Sequence, residues 1–114
     1  MIKIPEDAKK MALEDSSVEF YNFTLNEVEY FYFDTSLCSA PEPMVNALLG
    51  LQLLKKKNQR LIMVNHQAPG GLFPRIAEDF TYDVLTLDTG VQVVFALKND
   101  LSENTDFNDN SCAG

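Results

Sequence analysis

A chain of 114 residues has the size of one domain, because dividing its apolar surface between two cores would leave both marginal. Hydrophobic residues make up 46%, including eight Phe and four Tyr, which is enough to offset the ordering entropy of a compact fold. The formal net charge of −8 repels phosphate backbones and anionic lipid, and so argues against nucleic acid and membrane surfaces as partners.

Residues 1–17 read as an N-terminal extension. Within it, residues 5–13 place Ala8, Met11 and Ala12 on one side and lysines on the other, a spacing that predicts a short helix. The opening lacks the continuous apolar stretch of a signal peptide, and no segment approaches the run of about 20 apolar residues that a membrane helix needs. A cytoplasmic protein is therefore expected, in which the sequon Asn22-Phe23-Thr24 is accidental. Cys38 and Cys112 are far apart, so no disulfide framework is expected.

Residues 18–24 and 27–34 are rich in aromatic and β-branched side chains and predict two strands joined by a tight turn at Leu25-Asn26. Residues 41–57 predict a helix, with Met44, Val45, Leu48 and Leu49 at three- and four-residue spacing. With Ala40 as N-cap, Pro41 and Pro43 fall in the first turn, where missing N–H groups cost nothing, and Glu42 suits the dipole. Lys55, Lys56 and Lys57 then sit at the carbonyl end of that helix.

The apolar run Leu61-Ile62-Met63-Val64 predicts a strand covered on both faces. A loop from His66 to Gly71 follows, and Leu72, Phe73, Ile76, Ala77 and Phe80 form a second helical stripe. Residues 82–87 and 91–97 predict two strands, with Asp88-Thr89-Gly90 as hairpin turn residues. Asp-Thr-Gly is also an aspartic-protease motif, but the polar stretch after it leaves no second framework for a cleft. The expected fold is α+β, a two-layer sandwich over 18–98 in which a mixed four- to five-stranded sheet carries two helices on one face. Residues 99–114 read as an acidic flexible tail.

The segment Phe33-Asp34-Thr35-Ser36-Leu37-Cys38-Ser39-Ala40-Pro41-Glu42-Pro43 resembles the signature region of TusA/SirA-like sulfur carriers, in which a strand ending in Asp leads into Cys-Pro-x-Pro and a helix. It is more similar still to an uncharacterised sister family that keeps Pro-x-Pro and adds His-x-x-Pro before the second helix, here His66-Gln67-Ala68-Pro69. The resemblance covers residues 27–98 and implies the fold just described, set in cytosolic sulfur or redox metabolism. In those carriers the cysteine directly precedes the first proline and holds a persulfide. Ala40 stands there in this chain, and Cys38 lies two residues earlier beside Asp34 and Glu42, which oppose thiolate formation.

Three readings follow. The first is a non-catalytic module binding a protein partner or small ligand at Ala40, Pro41, Glu42, Pro43, His66, Pro69, Gly70 and Gly71. The second is a persulfide carrier with Cys38 as its catalytic thiol, and the third is an assembly protein that forms a homodimer through its sheet edges. His66 is the only histidine, so imidazole chemistry must use it. Neither metal-ligand spacing nor the Lys-Ser/Thr of a phosphate-binding loop is present, so no metal and no cofactor are expected. Cys112, with acidic neighbours, is expected to be an incidental thiol.

Overall fold

The computed structural model describes residues 4–39 and 41–98. They form an α+β domain with one six-stranded mixed sheet and two helices. In chain order these are β1 (Lys9–Met11), β2 (Phe20–Leu25), β3 (Val28–Asp34), α1 (Glu42–Leu51), β4 (Gln59–Asn65), α2 (Phe73–Ile76), β5 (Phe80–Leu87) and β6 (Gly90–Leu97). The spatial strand order is β1-β2-β3-β4-β6-β5, and only the central β3–β4 pair is parallel. Ala40, Cys112 and the tail expected at 99–114 lie outside the described residues. No helix among the described residues is long and apolar enough to cross a membrane.

Alternation along the strands sorts their side chains into two sets. Phe20, Phe31, Phe33, Leu61, Met63, Val91, Val93, Phe95 and Leu97 form one buried cluster with Ala47, Leu51, Leu54, Leu72 and Ile76 from α1, α2 and their flanks. Phe20 and Phe33 stack within it at 4.9 Å between ring centroids. Gly50 lets α1 settle onto the sheet, since a Cβ there would lie 2.8 Å from a Leu61 methyl.

Four sequence expectations are corrected. The helix expected over residues 5–13 is absent. Lys9–Met11 is instead a sixth strand, antiparallel to β2, because pairing satisfies backbone groups that the β2 edge leaves open. The first helix begins at Glu42 with Pro41 as its N-cap and ends at Leu51 rather than running to 57. Lys55, Lys56 and Lys57 therefore lie in a turn, where the Gln59 side chain accepts hydrogen bonds from the Lys55 and Lys56 amides at 2.6 and 2.9 Å. The second helix is a single turn because the Asp79 carbonyl accepts from the Lys98 amide at 2.9 Å, drawing Phe80 into the β5–β6 ladder. The first hairpin turns at Asn26-Glu27, one residue later than expected, with both residues at positive φ (51° and 68°).

Candidate functional site

The crossover from β3 to β4 brings the two proline motifs together. Pro41, Pro43 and Met44 at the start of α1 face Asn65, His66, Gln67, Ala68, Pro69, Gly70 and Gly71 after β4, and these residues line one cavity of about 300 Å³. Of the site residues read from the sequence, Pro41, Pro43, His66, Pro69, Gly70 and Gly71 are in its wall, whereas Glu42 and Cys38 are not.

Each wall has a local cause. Pro43 sits in the first turn of α1 and is buried, so its ring serves as wall rather than as donor. On the other side, Leu72 is fully buried and anchors the loop, whose turns are closed by Gly70 N–H to the Ala68 carbonyl and Leu72 N–H to the Pro69 carbonyl, each at 2.9 Å. Gly71 lies against the Met44 methyl, which a Cβ would meet at 3.4 Å.

Asn65 is the organising residue that sequence reasoning missed. It is 3% exposed; its Oδ1 accepts from Thr35 Oγ1 at 3.1 Å, and its Nδ2 donates to the Gln67 carbonyl at 2.9 Å. Buried Thr35 also donates its amide to the Val64 carbonyl at 2.8 Å, so the ends of β3 and β4 are tied where the loop departs. The available signal was positional: Leu61, Met63 and Asn65 share one side of β4, which puts an amide where alternation calls for a core residue.

His66 is exposed at the cavity rim and is the one ionisable side chain among the described lining residues. Apart from Asn65 and Gln67 the remaining lining residues are apolar or glycine, a combination that suits a ligand with an apolar body and a polar end.

Cys38 lies in the turn before α1, where its amide donates to the Thr35 carbonyl at 2.9 Å. Burial pushes the thiol pKa up, and Glu42, through its charge and a side-chain hydrogen bond, and Asp34 push it the same way. All three influences favour the neutral thiol, the reverse of what a sulfur nucleophile needs. Among the described residues, no group of three or more His, Cys, Asp or Glu side chains converges on one point.

A wider cleft of about 490 Å³ lies at the other end of α1, between Leu48, Leu51, Gln52, Leu54 and Lys55 and the pair Ile76 and Phe80. It is open and apolar and brings no nucleophile or acid–base pair together. No family model, curated protein or solved structure matches this chain.

Proposed function

We propose that this chain is a non-catalytic binding module whose site is the cavity between the α1 N-terminus and the loop from His66 to Gly71. The observation that carries the reading is that Pro41-x-Pro43 and His66-x-x-Pro69, remote in sequence, line the same cavity. Its size stands at the lower end of small-ligand sites, about 300 Å³ and upward, and its wall is largely pre-formed by prolines and by the Asn65 hydrogen bonds. A wall fixed before binding lowers the ordering cost of holding a ligand.

The order strand, helix, strand, helix, strand, strand from β3 onward supports placing the chain in the TusA/SirA-like two-layer arrangement, extended by β1 and β2. That placement sets the module in cytoplasmic sulfur or redox metabolism. The persulfide-carrier reading has less support, because Asp34, Glu42 and burial all hold Cys38 neutral.

The test is a titration of the isotope-labelled protein with thiosulfate, glutathione and glutathione persulfide, followed through the amides of Asn65 to Leu72. Saturable shifts confined to that loop are expected, with affinity weakened about tenfold or more in His66→Ala and in Pro41→Ala/Pro43→Ala. Shifts that both variants leave unchanged defeat the site. Incubation with a cysteine desulfurase and cysteine, read by mass, tests the carrier: a one-sulfur adduct lost in Cys38→Ser would replace this proposal.

A further inference from the structure

β5 is an edge strand. Its residues, Phe80 to Leu87, pair with β6 on one side, and among the described residues no strand lies on the other. The register runs without a bulge from Phe80 opposite Leu97 to Leu87 opposite Gly90. The Asp79 carbonyl accepts from the Lys98 amide, which fixes the backbone groups that turn inward. Bonded and non-bonded pairs alternate along an antiparallel ladder, so Thr81, Asp83, Leu85 and Leu87 bond to β6. Phe80, Tyr82, Val84 and Thr86 therefore aim their N–H and C=O groups away from the sheet.

Edges are ordinarily blunted by brevity, lysine, proline or a bulge. β1, at the opposite margin, follows that rule, with three residues of which two are lysines. β5 has neither lysine nor proline, and Asp83 is its one charge. Every residue from Thr81 to Thr86 is exposed, and the apolar side chains of Tyr82, Val84 and Leu85 are 39%, 44% and 43% accessible. Tyr82 is held in position by the Phe73 ring, stacked on it at 4.0 Å. Outward backbone groups and uncovered apolar side chains thus occupy the same strand.

We infer that β5 pairs with β5 of a second copy, antiparallel about a two-fold axis, so that two sheets join edge to edge. Outward groups must meet outward groups, so the axis passes through a residue pair, and the longest overlaps centre on Asp83 or on Val84. The first sets two Asp83 carboxylates directly opposite each other at the non-bonded spacing of about 4.5 Å, which like charges oppose. The second sets Val84 against Val84, Tyr82 against Thr86 and Asp83 against Leu85. Each bonded pair exchanges two backbone hydrogen bonds, so Val84–Val84 and two Tyr82–Thr86 pairs give about six. Tyr82 and Val84 of both copies then form one apolar row on the helix side, and the two Leu85 side chains meet diagonally on the other. The strand is its own complement in this register, which names a second copy as its occupant. β1, left at both ends of the joined sheet, is too short and too basic to add a third, so association closes at two. Residues 99–114 suit the edge less well, being rich in Asn and Asp, types depleted in strands. One strand pair buries less than a standard interface, below about 1,200 Å² in total, so the dimer is weak.

Sedimentation equilibrium and hydrogen exchange of the full chain from about 5 µM to about 500 µM test this. Mass should rise toward that of a dimer, and the Tyr82, Val84 and Thr86 amides should gain protection in step with it, while those of Asp83 and Leu85, already bonded to β6, change little. Val84→Lys and Val84→Glu each oppose like charges at the axis and should raise the dissociation constant about tenfold or more, whereas an equal mixture of the two should associate again. Val84 is exposed, so neither substitution enters the core. A monomer at every concentration overturns the inference, as does Val84 amide protection that is independent of concentration, the result expected if residues 99–114 cover the edge. A dimer indifferent to Val84→Lys, or a Lys and Glu mixture that stays monomeric, overturns it as well.

Discussion

Replacing Gly90 by Ala tests how closely the β5–β6 hairpin is fitted to the candidate site. A Cβ built on Gly90 lies 2.2 Å from the Asn65 carbonyl oxygen and 3.0 Å from the His66 Cα, so the obstacle is backbone and cannot swing aside. The turn or the end of β4 must retreat by roughly an ångström, which strains the Asn65–Val91 pairing next to it. Overpacking at about 1–3 kcal/mol together with a weakened ladder hydrogen bond at about 1 kcal/mol gives an expected loss of about 3 kcal/mol. For a domain of this size that lowers Tm by roughly 12–24 °C and moves the urea midpoint by about 2 M. Gly70→Ala is the matched control: no atom lies within 4 Å of its Cβ position, and neither glycine has a left-handed φ, so a change within about 0.5 kcal/mol is expected. Urea unfolding of the two variants beside the parent decides the matter. A Gly90→Ala protein as stable as the Gly70→Ala protein refutes the close approach of the hairpin to the backbone of Asn65 and His66.

Asn46 is 1% exposed; it accepts from the Ser17 amide and donates to Ser17 Oγ and the Glu42 carbonyl, so Asn46→Ala should cost about 2–3 kcal/mol. Hydrogen exchange at the Ser17 amide should accelerate more than at β6, which distinguishes a lost staple from general loosening. At Glu27, φ is 68° in the second turn position after Asn26, so Glu27→Gly relieves left-handed strain and should stabilise by about 0.5–1 kcal/mol in urea unfolding. Because the Cys38 pKa is raised above its ordinary 9.0, the thiol should react slowly with iodoacetamide at pH 8 in a Cys112→Ser background, and faster as pH rises through the folded-state value. Glu42→Gln removes the carboxylate influence and should increase the pH 8 rate; an unchanged rate refutes the role given to Glu42. The sign for stability follows: the contribution of Cys38 is fully present below pH 9.0 and is lost as pH rises through the folded-state pKa.

Elements whose side chains repeat strongly were legible. The aromatic runs and the Leu61 to Val64 stretch became β2, β3 and β4, and the Asp88-Thr89 turn joins β5 to β6. Where the sequence misled, a long-range partner overrode a local pattern. Ala8, Met11 and Ala12 have helical spacing, but the open edge of β2 recruits Lys9–Met11 as a strand. Leu53 and Leu54 continue the stripe of α1, yet Leu54 reaches the core from a turn, its amide donating to the Leu51 carbonyl at 3.2 Å. At the site, Pro41, Pro43 and the loop from His66 to Gly71 drew notice through their unusual residue types. Asn65 did not: its place on the core side of β4 was there to be read, but the Thr35 hydrogen bond and the approach of Gly90 that give it importance join residues far apart in the chain.

The parallel pairing of β3 with β4 has a kinetic consequence. Two antiparallel hairpins, β2–β3 and β5–β6, can each close locally, but β3 and β4 meet only after the chain has looped through residues 35–58. The cavity straddles that seam, taking Pro41, Pro43 and Met44 from the looping segment and its other wall from beyond β4. Neither hairpin can hold a ligand by itself. An occupant of the cavity would therefore act as a clasp on the whole domain, slowing hydrogen exchange in both hairpins together instead of protecting only the residues that it touches.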